Sequence, residues 1–213
     1  MTPHVTDGDL QIHKIKCGPY DNNAYVIVCL RTRESILIDT PSDPGELIAI
    51  ASTTKVKAIL ITHNHMDHLL GFDEVTSAIK APVGIGGPDA SALATDPDFV
   101  LEHGSEVSAG GFTLTSIFTP GHTDGSTCFR TGNHLFTGDT LFPGGPGKSR
   151  SPEALSQLIE SITMKLFTLP KHLDFYPGHG DDGSISVSME EYDLFASKQH
   201  PADLCGDVEW VNS

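Results

Sequence analysis

Cysteine is sparse in this 213-residue chain. Cys17, Cys29, Cys128 and Cys205 form no C-x-x-C pair, and a chain of this length needs no disulfide to hold its core. Cys29 and Cys128 lie in apolar runs and read as small buried residues. Basic residues are also few: 13 Lys and Arg stand against 28 Asp and Glu, a formal net charge of −15. That balance argues against a nucleic-acid surface, which needs cations to neutralise phosphates. No apolar run approaches the length that crosses a bilayer, so no segment reads as membrane-spanning. Residues 1–7 carry neither a basic region nor an apolar stretch, so they do not read as a signal peptide. Linkers and low-complexity segments are lacking too. These absences leave the expectation of a soluble cytoplasmic protein, one domain over residues 1–213, acting on a small molecule rather than on nucleic acid or a membrane.

What the chain does have is a concentration of imidazole. Thr62-His63-Asn64-His65-Met66-Asp67-His68 packs three histidines and a carboxylate into six residues, the pattern H-x-H-x-D-H. The apolar run Val56–Ile61 precedes it, and Leu69-Leu70-Gly71-Phe72 leads from it into a predicted helix. The motif therefore sits where a buried strand ends, the edge at which α/β proteins bind ligands. Side chains two apart on an extended segment point the same way, so His63 and His65 can grip one ion. Asp67 and His68 follow at the turn and aim at a neighbouring point. Neutral imidazole and carboxylate suit zinc, and also iron or manganese. A helix cap with incidental histidines does not account for three His at this spacing.

Alternation and turn residues predict the remaining elements. Strands are expected over residues 10–17, 24–30, 35–39 and 56–62, with a helix from Asp43 as N-cap to about Thr53, and another after the motif to about Lys80. A brief strand at 82–85 and a short helix near Asp89–Ala94 follow. The second half repeats the rhythm: a strand at 112–118, a hairpin of 126–131 with 134–137, a helix opened by Ser151-Pro152 and stopped before Pro170, a strand at 174–177, and a helix over 188–199. Three further residues share one placement. His122, Asp139 and His179 each follow a short strand and a glycine, in Pro-Gly-His, Thr-Gly-Asp and Pro-Gly-His. Glycine lets the backbone bend there and turns the next side chain outward. Strands lying side by side would bring all three to the first motif.

These four stretches together resemble the metallo-β-lactamase superfamily, over nearly the whole chain. The resemblance implies an α/β fold, a four-layer αβ/βα sandwich in which two mixed β-sheets are flanked by helices, with metals at one edge. It implies two divalent ions, zinc with iron or manganese as alternatives. His63, His65 and His122 would hold the first, Asp67, His68 and His179 the second, and Asp139 would bridge them. The zinc β-lactamases generally carry Cys at that last position, so Asp139 points to the glyoxalase II-like branch. There a Gly-Cys-Gly-Lys loop supplies a lysine for the glutathione carboxylate, which makes Lys148 the matching substrate-binding residue, with Arg150 beside it. This chain departs from that pattern. Pro146 replaces the cysteine, Ser149-Arg150 replaces aromatic residues, and 34 residues follow His179, too few for the family's helical C-terminal domain. Solvated loop charge is the alternative reading of Lys148 and Arg150.

The implied chemistry is hydrolysis. Two ions about 3.5–4 Å apart bring the pKa of a shared water near neutrality. Asp139 would hold the pair and Asp67 would fix the hydroxide, making these the catalytic carboxylates. A thiolate, with a pKa of about 8.5, departs without a strong proton donor. No general acid stands out beyond the ligands, which favours thioesters or lactones over amides. The other reading is a persulfide dioxygenase, in which residues matching His63, His122 and Asp139 hold one iron; that group tends to carry Gly-Cys-Gly-Arg where this chain has Gly-Pro-Gly-Lys. Among the remaining residues, His13, His103, His134, His172 and His200 read as surface or loop positions, and Tyr20-Asp21-Asn22 as an ordinary hairpin turn. Trp210 either packs or mediates a subunit contact.

Overall fold

The computed structural model describes residues 2–212. Its first sheet runs in chain order: β1 (Val5–Asp7), β2 (Leu10–Cys17), β3 (Asn22–Cys29), β4 (Glu34–Ile38), β5 (Lys55–Ile61), β6 (Val83–Gly86) and β7 (Phe99–Leu101). Strands β1 to β4 pair antiparallel, and β4 to β7 pair parallel. The second half begins with β8 (Glu106–Ala109), β9 (Phe112–Phe118), β10 (Thr127–Thr131) and β11 (His134–Gly138). A two-stranded ribbon, β12 (Leu141–Phe142) with β13 (Gly145–Pro146), leads away, and β14 (Asp174–Pro177) and β15 (Gly183–Ser184) complete the second sheet in the order β15-β14-β11-β10-β9-β8. Here too the pairing is mixed, since β11 and β14 run parallel.

Helices α1 (Gly45–Ala51) and α2 (Phe72–Ala78) cover the first sheet, and α3 (Pro152–Ser161) and α4 (Ile185–Ala196) the second. Alternation along the strands explains the layering. Tyr25, Ile27, Ile36, Ile38, Ala58 and Leu60 meet Leu114, Phe129, Phe136 and Tyr176 between the sheets. Their neighbours Val26, Leu37, Ile59 and Ile61 face the other way, against Leu47, Phe72 and Val75 of the helices. Strands buried on both faces read as unbroken apolar runs, which is why Tyr25–Cys29 shows no polar alternation. Leu155, Leu158 and Ile162 pack on the outer face of the second sheet. The structure is thus the expected four-layer sandwich. Among the described residues no helix is long and apolar enough to cross a membrane.

Several local expectations need correction. Asp43 is not an N-cap: it takes φ 54°, outside the extended conformation of a capping residue, and Pro44 precedes α1 without a side-chain cap. That helix stops at Ala51, because the Thr53 and Thr54 hydroxyls donate to the Ile50 and Ala51 carbonyls as the chain leaves it. The turn near Asp89 is a 3₁₀ segment over Gly87–Ala92. Ser151 caps α3 by accepting from the Ala154 amide, as expected, but the helix widens into a π-turn at Ile162–Leu166, where the Phe167 amide donates to the Ile162 carbonyl. His134 is buried on β11, its Nδ1 2.8 Å from the Tyr176 hydroxyl. Trp210 resolves toward packing: it is fully buried, against Phe167 and Tyr192. All four cysteines are free, and only Cys205 is exposed.

Candidate metal centre

The two sheets deliver their strand ends to one rim. At the end of β4, Asp39 is buried with φ 63°. Its carboxylate accepts from the Thr62 amide and hydroxyl, each at 2.8 Å, which fixes the backbone just where β5 releases His63. The same carboxylate lies 2.9 Å from His68 Nδ1. On the second sheet, Gly121 takes φ 140°, where a Cβ would come 2.4 Å from the Leu158 α-carbon, and it turns His122 into the rim. Gly138, at φ 48°, does the same for Asp139; a Cβ there would come 2.7 Å from that of Thr62. Both glycines follow the strand-end reading made from sequence. His179 follows β14, and its backbone bridges to Asn22 at the start of β3.

All seven expected ligands converge. One group gathers His63, His65, His122 and Asp139, the other Asp67, His68 and His179, with the candidate atoms of each group within 4.8 Å of one another. Asp139 lies between them: Oδ2 is 3.6 Å from His122 Nε2 and 3.4 Å from His179 Nε2, and Oδ1 is 3.4 Å from His68 Nε2.

Proton bookkeeping shows what this arrangement needs. His122 Nδ1 lies 2.8 Å from the Lys148 carbonyl and His179 Nδ1 2.8 Å from the Tyr20 carbonyl. A carbonyl only accepts, so each Nδ1 carries a hydrogen and Nε2 is the ring atom turned inward. His68 Nδ1 is committed to Asp39 in the same way. Yet His68 Nε2 and His179 Nε2 face each other at 3.2 Å, and His122 Nε2 faces His65 Nδ1 at 2.9 Å. Facing lone pairs repel unless a cation or a proton lies between them. The buried atoms His63 Nε2 and Asp139 Oδ1 have no hydrogen-bond partner at all. Imidazoles whose outer nitrogen is tied to a carboxylate or carbonyl, and whose inner nitrogen is free, are the pattern of metal ligands. The residues present therefore fit a pair of divalent cations.

The electrostatics agree. Burial holds His63 well below its usual pKa, and burial with His122 nearby lowers His65, keeping both in the neutral, ligating form. Burial opposes charge on Asp139, but His68 and His179 hold its carboxyl well below the usual range. Hydrogen bonding from His179, and from Asn22, keeps Asp67 ionised. Burial also opposes charge on His179, but Asp139 and Asp67 carry it up to about 10. Protons on His179 and His68 are how the cluster balances its acids without metal, and metal binding would displace them.

Three supporting residues escaped the sequence reading. Asn22 is a buried strand residue, not a turn, and its Nδ2 donates to Asp67 Oδ2 at 2.8 Å. Asp39 could have been found, since it too follows a short apolar strand. Asp89 could not, as by sequence it only opens a short predicted helix. Buried, it accepts from the Asn64 and Gly125 amides and from the Thr123 hydroxyl, clamping the His63–His65 and His122 loops together. Lys148 and Arg150 lie beside the cluster, lining a cleft of about 200 Å³ with Asn64, His65, His122, Thr123 and Ser149. Both are exposed and paired with acids, Lys148 with Asp207 at 3.4 Å and Arg150 with Asp124 at 2.8 Å.

Comparison with known proteins places the chain in a family. The sequence profile of the metallo-beta-lactamase superfamily matches residues 17–179. The chain is 30% identical over 194 residues to a probable polyketide biosynthesis zinc-dependent hydrolase of Bacillus velezensis, covering 86% of this chain and 85% of that one. It is 35% identical to a hydroxyacylglutathione hydrolase of Anaeromyxobacter dehalogenans, over 75% of this chain and 62% of that one. Among solved structures it superposes on TTHA1623 in a di-iron-bound form with a TM-score of 0.69 and 28% identity, covering 83% of this chain and 96% of the other.

Proposed function

The chain belongs to the metallo-beta-lactamase superfamily, and on that premise we propose that it is a dinuclear-metal hydrolase of thioester or ester carbonyls, of the glyoxalase II-like kind. The observation that carries this reading is Asp139. A single carboxylate, its Oδ1 buried, reaches both groups of imidazoles and with them offers the donor set of a two-ion site. When bound, such ions polarise a carbonyl oxygen and acidify water. Zinc fits the nitrogen-rich first group, and the relatives include both a zinc-dependent hydrolase and a di-iron structure.

The chain's own residues supply the rest. Asp67 stays ionised at the rim, oriented by Asn22, and offers an acceptor for a proton of the attacking water. Asn22 has no other task visible at its amide nitrogen than Asp67 and the edge of His179. Asn22→Ala is therefore expected to weaken metal retention or turnover about 10–100-fold, the range for partners that orient ligands. Metal titration alongside kcat measures it; unchanged values would remove Asn22 from the machinery.

The cleft beside the cluster supports the proposed substrate class. Its lining contains no carboxylic acid and no tyrosine; its N–H groups belong to the candidate ligands His65 and His122, to Asn64, and to the paired cations Lys148 and Arg150, so no side chain is set aside to protonate an amide nitrogen. A thiolate needs none. Lys148 and Arg150 sit in exposed ion pairs, each worth at most about 1 kcal/mol, so a substrate carboxylate can exchange for Asp207 or Asp124. The test is elemental analysis of the purified protein with a panel of hydroxyacyl glutathione thioester, lactone, amide and persulfide. Two ions per chain and thioester hydrolysis well above amide hydrolysis are expected. One iron per chain with O₂ consumption would overturn the proposal.

A further inference from the structure

We propose that a cleft of about 440 Å³ on the outer face of the second sheet binds a small amphiphilic anion, a phosphate or carboxylate head carried on a short apolar tail. The cleft shares no residue with the metal centre or with the cleft beside it. Thr113, Thr115 and Ile117 alternate along β9 and so present one face. Ile117 belongs to the outer core, which fixes that face as the one under α3. Arg130 and Thr131 close one side from β10, and Met164, Lys165, Thr168 and Leu169 close the other.

Charge selects the ligand. The chain as a whole repels anions, with its net −15, so an anion site has to be assembled from local cations. Lys14, Lys16, Arg31, Lys57, Lys148 and Arg150 each lie within 4.0 Å of a carboxylate. Among the described residues Arg33, Lys55, Lys80, Arg130, Lys165 and Lys171 show no such ion pair, and of these Arg130 and Lys165 line this cleft, which contains no Asp or Glu. Glu106 stands opposite Thr115 in register, but it is exposed and outside the lining. Arg130 uses Nε on the Gly132 carbonyl, leaving the outer guanidinium nitrogens for a forked contact with an oxyanion. Lys165 donates one hydrogen to the Phe118 carbonyl and keeps two. His103 Nδ1 accepts from the Phe118 amide, which leaves Nε2 to carry a hydrogen and add a donor.

Backbone geometry points the same way. The π-turn at Ile162–Leu166 carries Met164 and Lys165 to the cleft, and such turns inside helices recur at functional sites. Met164 is 67% exposed, an apolar side chain in need of a cover, and with Ile117 and Leu169 it offers a surface for a tail. The volume lies within the usual span of small-molecule sites, about 300–1,000 Å³.

The test is a titration of the metal-loaded, isotope-labelled protein with hexyl phosphate, hexanoate, inorganic phosphate and hexylammonium, followed by amide shifts. Saturable binding of hexyl phosphate or hexanoate is expected, with shifts centred on residues 113–117, 130–132 and 164–169, and the two separate the phosphate from the carboxylate source. Arg130→Gln should weaken it about tenfold or more with metal content unchanged. Met164→Ala, at an exposed site, should weaken hexyl phosphate but not inorganic phosphate. Absence of saturation, equal binding of hexylammonium, shifts confined to the metal centre, or an Arg130→Gln protein that binds like the wild type would each overturn the proposal.

Discussion

Asp139→Asn is expected to cost two effects at once: retention of the ion pair, and hydrolysis by about a thousandfold or more, equivalent to roughly 4 kcal/mol of barrier. The argument is one of charge and geometry. Asp139 Oδ2 serves both imidazole groups while Oδ1 faces His68. An amide of the same shape keeps one acceptor and replaces the other with two hydrogens aimed at nitrogens that must present lone pairs. It also removes the buried negative charge that, with Asp67, lifts His179 to about 10. Metal content per chain, from two toward one or none, and thioester turnover are the paired readouts. Full content and near-normal turnover would refute the bridging role. Because the substitution is isosteric, a retained thermal transition in the metal-free protein separates this loss from misfolding.

Trp210→Ala should give the largest loss of stability, about 3–5 kcal/mol, as for large buried aromatics. In a domain of this size that lowers the thermal midpoint by about 6–20 °C. Trp210 is fully buried against Phe167 and Tyr192 and belongs to the core under α3 and α4. Its Nε1 has no hydrogen-bond partner, so Trp210→Phe gives up packing volume but no bond, and should cost less than half as much. The consequence reaches the site. The Trp210 amide donates to the Gly144 carbonyl at 2.8 Å, and Gly206 and Ser149 exchange backbone bonds at 3.0 Å. These hold the loop whose Lys148 carbonyl orients His122. A destabilised Trp210→Ala protein should also bind metal more weakly. A midpoint shift of under about 2 °C would show that the tail is a loose appendage.

The residues legible from sequence were those whose role is local. H-x-H-x-D-H declares itself by spacing, and His122, Asp139 and His179 by the glycine before them. The sheets were legible because strands buried on both faces read as continuous apolar runs. What stayed hidden depends on which segments meet. Asn22 reads as a turn residue until β3 is seen to start beside His179. Asp89 is one acid among many until two distant loops are found hanging from it. His134 looks like a loop imidazole because its partner Tyr176 lies 42 residues away. Asp43 satisfied a capping pattern, but the left-handed backbone that follows β4 removed it from reach. Short edge strands such as β7 and β15 carry too few residues to show a period.

The ligand cage and the cleft wall are built from different material. Five of the seven candidate ligands stand within four residues of the end of a sandwich strand, whereas Lys148 and Arg150 follow the β12–β13 ribbon, on a stretch latched by the chain's tail. That stretch also touches the cage through its backbone, since the Lys148 carbonyl orients His122, whereas the Lys148 and Arg150 side chains reach only surface acids. Retargeting this scaffold to a new substrate is therefore a problem of exchanging side chains at positions 148 and 150 while the backbone between them keeps its path.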